Sequence, residues 1–214
     1  MQTIKLIIFD LDGTLSDSLA DLTDATNRMR RHFHMADLSA AEVRRMVGEG
    51  ARKLVERALP GASEDEIAAG LDIFLAYNET HIADKTTLYP GVKEVLDELK
   101  RRGKLMAVVS NKNVALCRKL LAILDVDSYF AAVLGADSLP SRKPSPEPLL
   151  KLLADFSVPA EHALMVGDSI NDIAAGKGAG ITTVGCRYGY GDDGDIIDAD
   201  YRITALPGLL ELPI

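Results

Sequence analysis

The chain has 214 residues, of which 47% are apolar, and its formal net charge is -8 at pH 7. This apolar content is sufficient for a sizeable folded core, whereas disordered chains are poor in apolar residues and rich in net charge. With 24 basic against 32 acidic residues, the chain lacks the basic character of nucleic-acid-binding proteins. We therefore expect a globular protein whose partners do not include nucleic acid.

The N-terminal segment MQTIKLIIFD is apolar only as far as Phe9, which is too short for the apolar region of a signal peptide. No later run approaches the roughly 18 apolar residues of a membrane span. Cys117 and Cys186 belong to no metal-binding or disulfide pattern, so we expect both to be buried free thiols. These features predict a cytoplasmic protein with no membrane partner.

Apolar runs of strand length alternate with amphipathic helical patterns along most of the chain. The runs are Ile4–Phe9, Leu105–Val109, Ala132–Gly135, Ala163–Val166 and Ile181–Val184. Continuous apolar strands are typical of a parallel sheet that is covered on both faces. The β-α-β alternation therefore predicts a doubly wound, Rossmann-like α/β domain.

The segment from Leu19 to Ile82 interrupts this alternation, because it contains helical patterns and no convincing strand. Ser39 and Ser63 are each followed three residues later by Glu, the pattern of a capping box at a helix start. An all-helical block inserted after the first strand predicts a separate small domain. We expect a core domain formed by residues 1–16 and 86–214 and a helical domain formed by residues 17–85.

Polar residues follow the predicted strands at the points where ligands bind in open α/β sheets, beyond the carboxyl ends of the strands. Four separate segments deliver several carboxylates, a hydroxyl, an amide and a lysine to this edge of the sheet. The candidate residues are Asp10, Asp12, Thr14, Ser110, Asn111, Lys143, Asp168 and Asp172.

This set of side chains predicts metal-assisted phosphoryl transfer. Clustered carboxylates without Cys or His partners favour a hard cation such as Mg²⁺. A lysine, a hydroxyl and an amide would hold the phosphoryl oxygens, and a carboxylate can act as the covalent nucleophile. Of the pair Asp10 and Asp12, one could attack while the other donates a proton to the leaving oxygen and later withdraws one from water.

The motifs resemble those of the haloacid dehalogenase superfamily, and specifically of its phosphoglycolate phosphatase-like branch. The stretch DLDGT at 10–14 resembles the first motif, SN at 110–111 the second, Lys143 the third and GDSIND at 167–172 the fourth. The four motifs occur in the same order as in that superfamily. The helical insertion after the first motif resembles the mobile cap of that branch. The resemblance spans essentially the whole chain.

The resemblance implies that Asp10 is the nucleophile and that Asp12 is the general acid and base. An ionised Asp10 and a protonated Asp12 would suit these roles, because a nearby negative charge raises the proton affinity of a carboxyl group. The resemblance also implies a Mg²⁺ site formed by Asp10, Asp168 and the backbone carbonyl of Asp12. Asp172 would support the metal site through water or Lys143.

The resemblance further implies that Ser110, Asn111 and Lys143 bind the phosphoryl group, and we assign Thr14 to the same set. In the cap, the stretch GEGAR at 48–52 corresponds to the substrate-facing loop of this branch, where Arg52 could meet a substrate carboxylate. Simpler structural roles remain open at this point. Ser110 and Asn111 could cap the next helix, and Arg52 could be a solvated charge.

We expect a Mg²⁺-dependent phosphomonoesterase for a small cytosolic phosphate ester, with 2-phosphoglycolate as the first candidate and an aspartyl-phosphate intermediate. The protein would be a monomer or a homodimer. A sugar phosphomutase, a phosphonatase or an inorganic pyrophosphatase on the same scaffold stays open. Phosphonate cleavage needs a cap lysine, for which Lys53 is the candidate. The alternative of a non-catalytic binding protein is disfavoured by the complete set of motif residues.

Overall fold

The computed structural model describes residues 3–213 and contains two sheets and two groups of helices. The strands are β1 (Leu6–Phe9), β2 (Ser16–Asp17), β3 (Thr87–Leu88), β4 (Leu105–Val109), β5 (Ala132–Leu134), β6 (Ala163–Gly167), β7 (Thr182–Cys186) and β8 (Tyr201–Ile203). The α-helices are α1 (Leu19–His32), α2 (Ala40–Arg44), α3 (Ala51–Ala58), α4 (Glu64–Thr80), α5 (Val92–Arg101), α6 (Val114–Ile123), α7 (Glu147–Phe156) and α8 (Ile170–Gly178). Short 3₁₀ helices cover Asp127–Tyr129, Ala160–His162 and Leu206–Glu211.

The main sheet has six parallel strands in the order β5-β4-β1-β6-β7-β8, which confirms the predicted Rossmann-like α/β class. The chain runs outward from β1 through β4 to β5 and then continues on the other side of β1 with β6. The strand order therefore reverses between β1 and β6. In sheets of this kind, a crevice for ligands opens at the reversal, beyond the carboxyl ends of the strands.

The main sheet is buried on both faces because its strands alternate their side chains between two apolar layers. Ile7 and Phe9 pack into the layer formed with α5 and α6, whereas Leu6 and Ile8 pack into the layer formed with α7 and α8. Each predicted apolar run overlaps a strand, although β1 begins at Leu6, β5 ends at Leu134, β6 extends to Gly167 and β7 extends to Cys186.

β8 lies at the edge of the sheet and was not expected from the sequence. Of its residues Tyr201, Arg202 and Ile203, only Ile203 is buried, so the strand lacks an apolar run. Its start is fixed by Asp200, whose Oδ2 accepts hydrogen bonds from Thr183 N and Thr183 Oγ1 at 2.8 Å each. Asp200 thereby ties β8 to β7.

Helices α1 to α4 form a second unit with an apolar cluster of its own, which includes Leu22, Met29, Leu54, Val55 and Phe74. The two chain segments that connect this unit to the main sheet pair with each other as the antiparallel ribbon of β2 and β3. Ser39 and Ser63 form the expected capping boxes at the starts of α2 and α4. We propose domain boundaries at this ribbon, with a core of residues 1–16 and 86–214 and a cap of residues 17–85.

Cys117 and Cys186 are buried free cysteines, as the sequence predicts. Burial raises the pKa of the Cys117 thiol to about 12, so this side chain behaves as an apolar core residue. Within residues 3–213, every helix is either too short or too polar to cross a membrane.

Asp21 in α1 binds the chain segment that leads from the cap into β3. A mutation at this residue tests the packing of the cap. Its buried carboxylate accepts hydrogen bonds from Lys85 N at 3.1 Å, Thr86 N at 2.8 Å and Thr86 Oγ1 at 2.6 Å. We expect Asp21→Ala to lower the free energy of unfolding by about 1–3 kcal/mol, because buried N–H groups lose their acceptor. Urea unfolding measures this change.

The matched control is Asp24→Ala, which removes an exposed partner of Lys85 on the same helix. An exposed ion pair contributes about 0–1 kcal/mol, so this variant should unfold nearly as the wild type does. Equal losses in the two variants would contradict the role assigned to Asp21.

Candidate active site

Lys143 lies at the centre of the site and joins three segments of the chain. Its Nζ donates to the Val109 carbonyl oxygen at the end of β4 and to Asp172 Oδ1, both at 2.6 Å, and lies 2.8 Å from Asp10 Oδ1 in an ion pair. Burial alone would lower the pKa of Lys143, but the charges of Asp10 and Asp172 outweigh this effect and raise it. Lys143 is therefore a cation buried between two acids.

Asp172 is fixed by the first turn of α8, which directly follows β6. Its Oδ2 accepts hydrogen bonds from Ser169 N at 3.0 Å and from Ser169 Oγ at 2.7 Å, and the bond from Ser169 N is one of the two bonds of a capping box. This arrangement leaves Oδ1 directed at Lys143. The acid is fully buried, so its oxygens are oriented by the helix start and the lysine together.

Asp168 is held in the crevice between β1 and β6. Its Oδ1 accepts a hydrogen bond from Thr14 Oγ1 at 3.0 Å, and its Oδ2 accepts one from Tyr190 N at 2.6 Å. Gly13 passes so close that a Cβ atom there would lie 2.4 Å from Asp168 Oδ2, and its φ of +89° also favours glycine. The DLDGT turn is thus shaped around Asp168.

One oxygen atom from each of Asp10, Asp168 and Asp172 lies within 4.8 Å of the others. Burial raises the pKa of Asp10 to about 6, although Lys143 opposes this effect. Burial, together with the charges of Asp10 and Asp172, raises the pKa of Asp168 to about 7. When all three acids are ionised, Lys143 leaves two of their negative charges uncompensated.

Asp10 Oδ1 is buried. Apart from its ion pair with Lys143, it accepts no hydrogen bond from the part of the chain that the structure describes. An uncompensated charge and an under-coordinated carboxylate oxygen fit a divalent cation. The donor set is made of oxygen atoms only, which suits a hard ion. Asp10, Asp168 and Asp172 therefore form a candidate metal site.

Asp12 lies beside this cluster and is held by a different lysine. Lys112 Nζ donates to Asp12 Oδ2 at 2.7 Å and to Oδ1 at 3.0 Å, and Ser18 Oγ donates to Oδ1 at 2.5 Å. Both carboxylate oxygens of Asp12 thus accept hydrogen bonds from side chains of other segments. Lys112 therefore places a buried positive charge beside Asp12, which was not expected from the sequence.

Ser110 and Asn111 follow β4 and are both buried. Ser110 Oγ accepts a hydrogen bond from Lys112 N at 3.3 Å. The Asn111 side chain donates at 2.9 Å to both the Gly48 and the Lys143 carbonyl oxygens, so its N–H groups are used within the protein. Thr14, which was grouped with the phosphate-binding residues, directs its hydroxyl to Asp168. Phosphate binding by Ser110, Asn111 and Thr14 stays a prediction.

Arg52 and Lys53 are not brought to the cluster. Arg52 forms ion pairs with Glu56, at 3.1 Å, and with Glu64, and its side chain is 42% exposed. Lys53 binds Glu56 at 2.6 Å on the same cap helix. Helix α3 therefore directs both side chains to acids on the cap surface. This arrangement gives no support to a substrate contact by Arg52 or to a Schiff base on Lys53.

The acids open into a cavity of about 640 Å³ between the cap and the main sheet. Gly48 in the cap loop closes over it, since the Gly48 carbonyl oxygen accepts hydrogen bonds from Asn111 at 2.9 Å and Asn171 at 3.2 Å. The walls of the cavity include Asp10, Asp12 and Asp168 and the cap residues Arg44, Arg45, Glu49 and Arg57. A small anion can therefore meet both the acids and cap arginines.

Three residues that contact the site acids were not predicted from the sequence: Lys112, Ser18 and Tyr190. Lys112 had a detectable signal, because it directly follows Ser110 and Asn111 at the carboxyl end of β4. Ser18 had a weaker signal, because it lies next to the predicted domain boundary between residues 16 and 17. Tyr190 lies in a loop rich in glycine and aspartate, where the local sequence carries no signal for a contact with Asp168.

A sequence model of haloacid dehalogenase-like hydrolases matches residues 7–186, which include the four segments of the site. The chain belongs to the haloacid dehalogenase-like hydrolase family. A phosphoglycolate phosphatase from Psychrobacter arcticus is 42% identical over 201 residues, which cover 90% of this chain and 87% of that protein. Phosphoglycolate phosphatase 1 from Pseudomonas aeruginosa is 41% identical over 87% of this chain and 70% of its own.

The fold of this hydrolase is also similar to solved structures. The crystal structure of a predicted phosphoglycolate phosphatase from Haemophilus somnus superposes with a TM-score of 0.94 and 35% sequence identity, over 99% of this chain and 98% of that chain. The family and these relatives, together with the acids and lysines of the site, identify the chain as a phosphoric monoester hydrolase.

The raised pKa values of Asp10 and Asp168 predict how the metal-free hydrolase responds to pH. In the folded protein these two carboxyl groups keep their protons to a higher pH than they do in the unfolded chain. Their contribution to the free energy of unfolding is therefore complete at low pH and is lost as the pH rises through about 6 to 7. In excess chelator, we expect Tm to fall between pH 5 and pH 8. Differential scanning fluorimetry measures this trend.

Asp168→Asn removes one of these charges and should flatten the fall in Tm. Asp198→Asn, at an exposed position of the loop before β8, should leave it unchanged. A chelated wild type whose Tm rises over the same interval would contradict the charge balance that we derive.

Proposed function

We propose that this hydrolase is a Mg²⁺-dependent phosphomonoesterase that acts on a small phosphate ester, with 2-phosphoglycolate as its substrate, through a phosphate bound covalently to Asp10. The observation that carries the proposal is the position of Asp10. Its carboxylate touches Lys143, belongs to the acidic cluster with Asp168 and Asp172, and faces the cavity under the cap.

Asp10, Asp168 and the Asp12 backbone carbonyl would hold the Mg²⁺, and Asp172 supports them through its hydrogen bond to Lys143. When bound, the ion neutralises charge on the phosphoryl oxygens. Lys143 contributes a second positive charge near Asp10 and keeps that carboxylate fixed. Side chains of the protein carry out the attack on phosphorus and the proton transfers.

In the first half of the reaction, an oxygen of Asp10 attacks phosphorus and the bond from phosphorus to the ester oxygen breaks. Asp12 donates a proton to the departing oxygen, so the product leaves as an alcohol. In the second half, Asp12 accepts a proton from a water molecule that attacks the phosphorus on Asp10. The phosphate leaves, and Asp10 and Asp12 return to their starting states.

Lys112 and Ser18 give Asp12 its orientation in these steps. Their hydrogen bonds to the two Asp12 oxygens support the half of the reaction in which Asp12 takes a proton. For the first half, Asp12 must bind its proton before the ester bond breaks. A substrate that displaces Lys112 from Asp12, by offering its own negative charge to the lysine, would allow this.

The choice of 2-phosphoglycolate rests on the names of the similar proteins and on the cap side of the cavity. The substrate carries a carboxylate in addition to its phosphate, and a carboxylate needs a positively charged partner. Arg44 donates to backbone carbonyl oxygens and Arg57 binds Glu49. Arg45 lines the cavity without an ion pair among the described residues, so we assign the carboxylate to Arg45.

Replacement of the nucleophile tests the chemical proposal. Asp10→Asn keeps the size of the side chain but removes the attacking carboxylate, so we expect kcat with 2-phosphoglycolate and Mg²⁺ to fall by at least about 10³-fold. Phosphate release measures the rate. Asp65→Asn, at an exposed position of α4, is the control and should retain full activity. An active Asp10→Asn protein would refute covalent catalysis at this residue.

Replacement of the cap arginines tests the substrate. Arg45→Ala should raise KM for 2-phosphoglycolate by about 10-fold or more, because a hydrogen bond between charged groups is lost. KM for p-nitrophenyl phosphate, which has no carboxylate, should not change. The comparison variant is Arg52→Ala, since Arg52 is paired with Glu56 and Glu64. If Arg52→Ala alone raises KM for 2-phosphoglycolate, then Arg52 binds the carboxylate and our assignment of Arg45 is wrong.

A further inference from the structure

The loop between β7 and β8 makes a contact with the cap that the proposed mechanism does not use. Arg44, the last residue of the cap helix α2, donates from Nε to the Tyr190 carbonyl oxygen and from Nη2 to the Gly189 carbonyl oxygen, both at 2.8 Å. The planar guanidinium fork matches two successive carbonyl groups, which a lysine could not do. A side chain of the cap therefore holds a backbone segment of the core.

The same segment, residues 189–191, holds the metal-site acid Asp168 with its N–H groups. Asp168 Oδ2 accepts hydrogen bonds from Tyr190 N at 2.6 Å and from Gly191 N at 3.4 Å. The packing is tight, since a Cβ atom on Gly189 would lie 2.3 Å from Asp168 Cβ. A shift of the segment 189–191 must therefore change the orientation of Asp168.

The side chain of Tyr190 reaches the other half of the site. Its hydroxyl oxygen accepts a hydrogen bond from Ser18 N at 2.6 Å, and Ser18 Oγ donates to Asp12 Oδ1 at 2.5 Å. Ser18 lies between β2 and α1, where the chain enters the cap. One segment thus contacts the cap through Arg44, the metal site through Asp168 and the acid and base Asp12 through Ser18.

We propose that Arg44 is a positioning residue that couples closure of the cap to the geometry of Asp168 and Asp12. When the cap lies against the core, Arg44 fixes the Gly189 and Tyr190 carbonyls, and the segment 189–191 presents its N–H groups to Asp168. When the cap lifts, these contacts break and Asp168 loses its support. The site binds Mg²⁺ tightly only under the closed cap, an inference that rests on the proposed use of Mg²⁺.

The experiment compares Arg44→Ala and Arg44→Lys with the wild type in Mg²⁺ titrations. The midpoint is measured twice, from the rise in Tm of the full-length protein without substrate and from kcat with p-nitrophenyl phosphate. For Arg44→Ala we expect the Mg²⁺ midpoint to rise by about 5- to 50-fold, the range of a typical coupling between sites. Arg44→Lys, which can satisfy one carbonyl, should recover part of the loss.

The matched control is Arg57→Ala. Arg57 lines the same cavity, but its partners among residues 3–213 are Glu49 and the Met46 carbonyl oxygen, both in the cap. Its Mg²⁺ midpoint should equal that of the wild type. If the midpoint in Arg44→Ala is unchanged, or if Arg57→Ala raises it equally, the coupling through Arg44 is refuted. A wild type with no dependence on Mg²⁺ would instead refute the proposed function.

Tyr190→Phe separates the two contacts that Tyr190 makes with the site, one from its N–H to Asp168 and one from its hydroxyl through Ser18 to Asp12. The variant keeps the N–H that contacts Asp168 and loses the hydroxyl that contacts Ser18. We expect kcat to fall by about 3- to 10-fold through the altered hydrogen bonding of Asp12, with an unchanged Mg²⁺ midpoint. A raised Mg²⁺ midpoint with an unchanged kcat would contradict our inference that the Tyr190 hydroxyl acts on Asp12.

Discussion

The buried ammonium group of Lys143 is the constraint on which the site depends. A charge removed from water needs several close partners, because desolvation costs several kcal/mol for each ion. Those partners come from three places in the sequence: Asp10 after β1, the Val109 carbonyl oxygen at the end of β4, and Asp172 in α8. The parallel sheet satisfies this requirement because it brings the carboxyl ends of its strands to one edge. The single positive charge of Lys143 cannot balance three acids, and the remaining negative charge is what a divalent cation would neutralise.

Most of the core side of this arrangement could be predicted from the sequence, because sheet geometry and strand position determine it. Asp10 and Asp168 directly follow apolar strands that neighbour each other at the reversal of strand order, so any parallel sheet with this order brings them together. Asp172 follows at the spacing of a helical first turn. The helical cap could be predicted for a similar reason, since its periodic apolar stripes contain no competing strand pattern.

The cap side could not be predicted to the same depth, because rotamers and loop paths decide it. Arg52 belongs to the expected substrate-facing stretch, but one turn of helix separates it from Glu56, and this acid competes for its charge. Tyr190 contacts Asp168 across a separation of 22 residues through a backbone N–H, which every non-proline residue carries. The residue type therefore does not predict such a contact. Only the neighbouring glycines indicate that the backbone passes close to the site.

In the proposed mechanism, the contacts between cap and core would let the site exclude water during phosphoryl transfer and open for release of the product. Asn111 and Asn171 donate to Gly48, and Arg44 donates to Gly189 and Tyr190, so hydrogen bonds hold the cap against the core at these points of the cavity. Each such bond contributes about 0.5–1.5 kcal/mol net, because water replaces it when the cap lifts. A closed state held in this way opens at a modest cost in free energy. Apolar contacts at the same points would exclude water as well, but they would oppose the opening that the proposed catalytic cycle requires.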